Sequence, residues 1–368
     1  MSSQEKGQNT GQPTGARASR ARIEGVKRRF ELQNWIAAAV VFAVAFFLPM
    51  APFVEGWMVG QAALVIVYIM AAQGVAILTG YTGLVTVGHG GFLAIGAYTA
   101  ALLMKYFGTG LVVGMIAGGL VASVFGCLLG LLFLRLAGAF MAIGTLGFAF
   151  FIGTIVNNVP IFEGREGISL PRNHVLGLEI GDFGFYYVAL IALAVITIFI
   201  WSLVRSGVGR AFKALRDSER AAESSGVNRL AFRTLAFSVS AFITGVAGAL
   251  NGLIVNYVSA EVYADIWYSV DLLLAVVVGG SAMLMGPFVG GAFVVMIPFF
   301  FEELADFAFI LKGVVLIMVL MFAPAGVVSL VARPVRALRR RKLVAAGDRL
   351  GQDDVSAQSS AASTGGDR

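Results

Sequence analysis

Charge is what this chain has least of: only 13% of its 368 residues are Asp, Glu, Lys or Arg, against 58% hydrophobic. A soluble domain carries about 25% charged residues. The stretch from Trp57 to Leu78 runs for 22 residues without a charge, and about 20 apolar residues suffice to span a bilayer. Composition and length together exclude a soluble fold and point to a protein that crosses the membrane repeatedly. Cysteine is reduced to Cys127, beside Leu128 and Leu129, which rules out an internal disulfide and a cysteine metal cluster. With His89 and His174 the only histidines, a metal site is not expected. There is no Gly-Lys pair, hence no phosphate-cradling Gly-x-x-x-x-Gly-Lys-Ser/Thr loop. No cofactor is therefore expected on this chain, and if ATP drives it, another subunit hydrolyses it. Paired carboxylates, a His-Glu metal motif and a nucleophile elbow are also missing, which leaves an enzyme without a visible constellation.

What is present is a series of apolar segments near 35–53, 57–79, 80–104, 107–134, 137–158, 184–204, 234–256, 271–301 and 309–330. The eighth, at 31 residues, would form a helix of about 46 Å, too long for a hydrocarbon core of about 30 Å and too short for two full spans. Charge placement resolves this, because Lys and Arg accumulate in cytoplasmic loops. Seven Lys or Arg lie in residues 1–34, seven between Arg205 and Arg233, and six between Arg333 and Lys342. Acids dominate between Pro160 and Phe183, between Tyr257 and Asp271, and at Glu302, Glu303 and Asp306. Two short crossings joined near Ser281 to Gly286 put every loop on its expected side. The expectation is an all-α polytopic membrane protein of about ten transmembrane helices, some short or broken, with both termini cytoplasmic. Five plus five spans of opposite topology make an inverted repeat. The transmembrane body covers 35–332, with an outer loop at 159–183 and a cytoplasmic loop at 205–233. Residues 1–34 form a disordered basic tail, and 333–368 a basic and then disordered one. The net charge of +6 sits beside spans, where it faces anionic lipid, so nucleic acid is not an expected partner.

Two regions concentrate glycine: six of the 17 residues from Gly80 to Gly96, and five of the 13 from Gly279 to Gly291. Glycine at membrane depth permits close helix packing, or a break beside a cavity. His89 lies inside the first region, where an ionisable group is costly unless it meets a partner or water. Two readings stand: a neutral imidazole bonded to a helix carbonyl, or a pathway or gating role. Thr86, Thr145, Ser240, Gln73 and Asn251 are milder polar groups at similar depth. With no relay of buried carboxylates in view, the expected cargo is neutral or zwitterionic. In the cytoplasmic loop, Phe212, Leu215 and Ala222 recur at helical spacing. Arg210, Lys213, Arg216, Asp217 and Arg220 supply its polar faces, and Gly226 is a stop. That amphipathic helix suits docking to a partner protein, or lying on anionic headgroups.

The run GYTGLVTVGHGGFLAIGAYTAALL, Gly80 to Leu103, resembles the Gly-Tyr-x-Gly-x-x-Ser-x-Gly-His-x-x-Phe-x-x-Ile-Gly-Ala-Tyr signature of branched-chain amino-acid permeases of the LivH/LivM type. The segment from Gly209 to Gly252 and VVVGGSAMLMGPFVGGAF, Val276 to Phe293, resemble two further segments of that family, in the same order. The length of the outer loop favours its LivM side. The resemblance implies a subunit of an ATP-binding cassette importer in the bacterial inner membrane. Its partners would be a second, LivH-like permease, two ATPase subunits and an extracytoplasmic solute-binding protein. It implies a substrate pathway near Thr86, His89, Phe92, Tyr98, Thr145 and Ser240, with His89 shaping a bend beside it. It also implies an ATPase-coupling element at Arg210, Lys213, Arg216, Asp217, Glu219 and Gly226, in which Arg216, Asp217 and Glu219 match the family's Arg-Asp-x-Glu. Leu84 stands in place of a frequent glutamine, Glu163 and Arg165 add charges to the outer loop, and Ser281 interrupts a Gly-Gly-x-Gly pattern. Those departures leave the solute open, since related permeases serve urea, amides and aromatic acids. A stand-alone secondary transporter or channel is the rival class.

Overall fold

A computed structural model describes residues 42–300 except 51–53, 137, 165, 171–173, 176–177, 180, 264 and 282, with scattered residues between 313 and 328. The chain divides into Ala45–Leu330 and a second unit made of Met1–Val44 and Val331–Arg368. Of that second unit only 42–44 are described, as helix. The expected tails at 1–34 and 333–368 lie outside the described residues.

Among the described residues, six helices are long and apolar enough to cross a membrane. In chain order they include α1 (Gly56–Ala76, continued by a π-helical turn Ile77–Tyr81), α2 (His89–Phe107), α3 (Leu111–Leu132) and α4 (Ala139–Asn158). After the outer loop comes α5 (Asp182–Arg205), then two short helices, α6 (Gly207–Asp217) and α7 (Glu219–Ser224), and the long α8 (Arg229–Val255). A one-turn α9 (Ala260–Tyr263) leads into α10 (Ile266–Gly279) and α11 (Gly286–Phe300). The only strands among the described residues are two-residue pairs. One of them, Ile168–Ser169 against Tyr257–Val258, stitches the loop between α4 and α5 to the corner after α8.

The core is built where α2, α3 and α8 approach one another closely. A Cβ on Gly96 would run into the Gly245 carbonyl, and one on Gly118 would stand 2.7 Å from the Gly96 oxygen. In a bilayer, where lipid tails are as apolar as leucine, such backbone-to-backbone packing is what holds helices together. Polar pairs fasten the bundle further: Gln73 Nε2 donates to Thr197 Oγ1 at 2.9 Å between α1 and α5, and the Ser123 and Ser238 hydroxyls meet at 2.8 Å between α3 and α8.

The eighth apolar segment is two helices rather than one. Its break at 280–285 leaves α10 with 14 residues and α11 with 15, about 21 to 22 Å each. Three expectations change. The span placed at 80–104 does not begin at Gly80, because 82–88 are not helical and α2 starts at His89. The single amphipathic helix of the cytoplasmic loop is two, broken at Ser218, whose hydroxyl caps α7 by accepting from Ala221 N. A side-chain oxygen there offers the backbone an alternative to continuing the first helix. The acidic stretch Tyr257 to Asp271 is not all loop, since Asp271 lies inside α10.

Candidate functional site

The break before His89 gathers most of the expected pathway residues. α1 ends in its π-helical turn, with Thr82 N donating to Ile77 O at 3.2 Å and Leu84 N to Leu78 O at 2.9 Å. π-turns are frequent at functional sites. Gly83 then takes a positive φ of 74°, a conformation that a side chain resists. The irregular run to Gly88 is anchored by Thr145 of α4, whose hydroxyl accepts from Val87 N at 3.0 Å and donates to Ala142 O at 3.0 Å.

His89 opens α2 and is only 1% exposed. Its Nε2 lies 2.8 Å from Ser240 Oγ, and that hydroxyl donates to Gly74 O at 2.7 Å. A serine hydroxyl has one hydrogen, and the Gly74 carbonyl can only accept, so the imidazole donates to Ser240 through Nε2–H. Nδ1 is left to accept from Thr86 Oγ1, at 3.4 Å. A neutral His89 thus ties the irregular run, α2, α8 and α1 together, and no bulk water is needed to satisfy it. Phe92 packs edge-on to His89 at 5.7 Å between centroids and lies 5.0 Å from Phe148, closing the cluster on its α4 side. His89→Ala should lower the stability of the folded protein by about 1–3 kcal/mol, since Ser240 loses a buried donor. His89→Gln, which can offer an amide donor near the same place, should recover much of it. Thermal unfolding in detergent is the measurement; equal stability of His89→Ala and the parent would refute the role.

Tyr98 is not part of this cluster. It lies nine residues farther along α2, edge-on to Phe162 at 5.6 Å, buried beside the outer loop. Nearby, Lys105 pairs with Glu163, and Tyr257 Oη donates to Glu166 O at 2.8 Å, so the added acid Glu163 helps hold the outer loop in place.

On the opposite end, α6 and α7 form a short hairpin. α6 buries Ala211, Phe212 and Leu215 and exposes Arg210, Lys213, Arg216 and Asp217. Arg216 nevertheless reaches back to the membrane domain, donating from Nη1 to the Gly80 carbonyl at 2.5 Å. Glu219 pairs with the buried Arg233 and lies 3.3 Å from Arg229. Arg233 and Arg229 both donate to Leu134 O, at 3.1 and 3.0 Å. Two of the expected coupling residues therefore grip their own chain, while Arg210, Lys213, Asp217 and Arg220 form the outward face. Gly226, at φ 85°, ends the hairpin, with Val227 N returning to Ala222 O at 3.0 Å. No group of three or more His, Cys, Asp or Glu able to hold a metal occurs among the described residues.

Sequence reasoning missed the carbonyls of Gly74 and Gly80, which carry no side-chain signal. It also missed Arg233, which a charge one turn inside an apolar helix could have flagged. A third omission is a polar cluster where α1, α8 and α10 meet. There Tyr263 Oη donates to Asn251 Oδ1 at 2.7 Å, Asn251 Nδ2 donates to Tyr268 Oη at 3.0 Å, and the rings of Tyr68 and Tyr268 stack at 5.2 Å.

Comparison with known proteins places this geometry. Residues 57–324 match the family model described as branched-chain amino acid transport system / permease component. The chain belongs to that family. It is therefore an all-α, multi-pass membrane permease, of the LivM-like kind. The high-affinity branched-chain amino acid transport system permease protein LivM of Escherichia coli is 31% identical over 325 residues, covering 80% of this chain and 75% of that protein. LivH of the same organism is 24% identical over 291 residues, 71% of this chain and 91% of the relative. A ribose import permease, RbsC of Haemophilus influenzae, is 31% identical over 121 residues, 32% of this chain and 34% of its own. No solved structure matches the chain.

Proposed function

We propose that this permease forms half of the translocation pathway of an ATP-driven importer for branched-chain or other hydrophobic amino acids in a bacterial inner membrane. The other half is a LivH-like permease. Two ATPase subunits hydrolyse ATP on the cytoplasmic side, an extracytoplasmic binding protein delivers the solute, and this chain itself performs no chemistry and binds no cofactor. Ten spans in two inverted halves, with both termini cytoplasmic, complete the reading; the paired short helices α10 and α11 are consistent with it.

The observation that carries the proposal is the α6–α7 hairpin. A loop serving only as a connector needs no buried guanidinium, yet this one is clamped to the bundle through Arg233–Glu219 and Arg216–Gly80. Such a rigid hairpin with a charged outer face is suited to receive a push from a docked ATPase. The same clamps disfavour a helix lying loosely on headgroups. Affinity purification of the tagged chain in mild detergent, followed by mass spectrometry, tests the assembly. Recovery of two ATPases and a second permease is expected, and a lone homo-oligomer would overturn the importer in favour of a stand-alone carrier.

A further inference from the structure

Between α1 and α2 the chain runs from Thr82 to Gly88 as neither helix nor strand, and its burial alternates. Thr82, Leu84, Thr86 and Gly88 are buried, Gly83 and Val85 are exposed, and Val87 is half-buried. Alternation of that kind marks extended backbone with one side packed and the other open. The run begins beside Arg216, whose Cγ would stand 3.1 Å from a Cβ on Gly83, and rises into the bundle. Near its upper end Val87 N bonds to Thr145, the seventh residue of α4, and His89, just beyond it, meets Ser240, the twelfth of α8. Those partners lie about 9 and 16 Å along their helices, so the upper part of the run is at membrane depth.

Its backbone is largely unpaired. Among the described residues, Gly83, Val85 and Thr86 have no hydrogen bond through either backbone group, and the Leu84 and Val87 carbonyls accept none. Backbone groups taken out of water almost always find a partner. Irregular backbone at membrane depth is tolerated only when buried in protein or beside a water-filled space. Val85 is 47% exposed, so burial in this chain does not account for the run, and its open side faces a wet space rather than lipid. The packed side is fixed by Leu84 N on Leu78 O and Val87 N on Thr145 Oγ1, which holds the open side ready before anything binds.

That side presents backbone donors and acceptors around an aliphatic side chain. No Asp, Glu, Lys or Arg occurs from Gly80 to Met104 or in α4, and the Arg216 guanidinium is engaged with the Gly80 carbonyl. An aliphatic amino acid has the complementary set: an ammonium for the carbonyls, a carboxylate for the N–H groups, no net charge, and a hydrocarbon side chain for Val85. Unwound segments beside a transport path use their backbone groups for such ligands.

We propose that the open side of Thr82–Gly88 is a subsite for the transported amino acid, with the unpaired backbone of Gly83, Val85 and Thr86 meeting its charged ends and the Val85 side chain meeting its hydrocarbon. The assignment rests on the importer reading above, and it makes Val85 a determinant of which aliphatic amino acid passes.

The test uses the complete transporter in proteoliposomes, with the same binding protein loaded with leucine or with valine, and reads the ratio of the two uptakes. Because the binding protein is unchanged, a shifted ratio originates in the permease. Val85→Leu should lower the leucine-to-valine ratio about fourfold, the effect of one methylene, and Val85→Ala should raise it. Parent ratios in both variants overturn the subsite and leave the importer standing. An equal loss of both uptakes also overturns it, since Val85 would then serve structure or gating rather than recognition. A second measurement is independent of uptake: in a chain carrying Cys127→Ser, Val85→Cys should be labelled in the assembled complex by a charged methanethiosulfonate, as read by mass spectrometry of this chain. Val124→Cys, on the exposed apolar face of α3, should stay unlabelled. An unlabelled Val85→Cys would mean that the run meets no water, which overturns the proposal. If the parent complex takes up neither amino acid, the importer reading fails first and the subsite loses its ligand with it.

Discussion

Arg216→Ala should cut ATP-driven uptake about tenfold while the complex still assembles. The guanidinium of Arg216 bridges from the α6–α7 hairpin to the Gly80 carbonyl in the π-helical turn that continues α1. Beyond that turn the chain bends at Gly83, where a Cβ would stand 3.1 Å from Arg216 Cγ, and runs as irregular backbone to His89. One side chain thus connects the surface on which an ATPase would act with the segment that positions the His89 cluster. A hydrogen bond from a charged donor contributes about 1.5–3 kcal/mol. Because Arg216 stays partly open to solvent, the lower end applies, equivalent to about tenfold in a coupled equilibrium. Arg216→Lys keeps the charge but loses the planar fork, and should fall between the two. The readout is the number of ATP molecules hydrolysed per solute. That number should rise in Arg216→Ala, and a normal ratio with normal uptake would remove Arg216 from the coupling route.

Gly96→Leu should abolish accumulation of folded protein, the second large effect. At this position α2 and α8 touch backbone to backbone, and the added Cβ would meet the Gly245 carbonyl; α3 closes the third side through Gly118. A backbone carbonyl cannot swing aside as a side chain does, so the helices would have to separate, losing close contacts along their length. Gly147→Leu is the control. Gly147 also lies in a spanning helix, α4, but has nothing within 4 Å of its would-be Cβ. Fluorescence-detected gel filtration should show a monodisperse peak for Gly147→Leu and for the parent, and none for Gly96→Leu. A normal Gly96→Leu peak would mean that these helices do not pack as described.

Much of this architecture was legible in the sequence because bilayer physics writes strong signals. Long uncharged runs marked the spanning helices seen among the described residues, and the alternation of basic and acidic loops divided 271–301 at the turn that separates α10 from α11. The hairpin was visible as amphipathic spacing around Phe212 and Leu215, and Gly226 as its stop. Its internal break was hidden, since Ser218 is unremarkable until its hydroxyl is seen to cap a second helix. The start of α2 was misplaced because a glycine-rich apolar run looks the same whether it is helical or irregular. For the site, sequence brought forward Thr86, His89, Phe92, Thr145 and Ser240, which the fold does assemble. It brought forward Tyr98 too, which the fold sends to the outer loop. The stacked pair Tyr68 and Tyr268 stayed unnoticed, because its members are 200 residues apart in the chain, and Asp271 passed for a loop acid.

The central claim is that this permease moves an amino acid only as part of an ATP-driven complex. The measurement that tests it most directly is uptake of radiolabelled leucine into proteoliposomes containing the complete complex, with ATP and binding protein supplied or withheld, beside vesicles containing this chain alone. Uptake should require both ATP and the binding protein and be absent from vesicles holding the single chain. Leucine entering vesicles that contain only this chain, without ATP, would contradict the account.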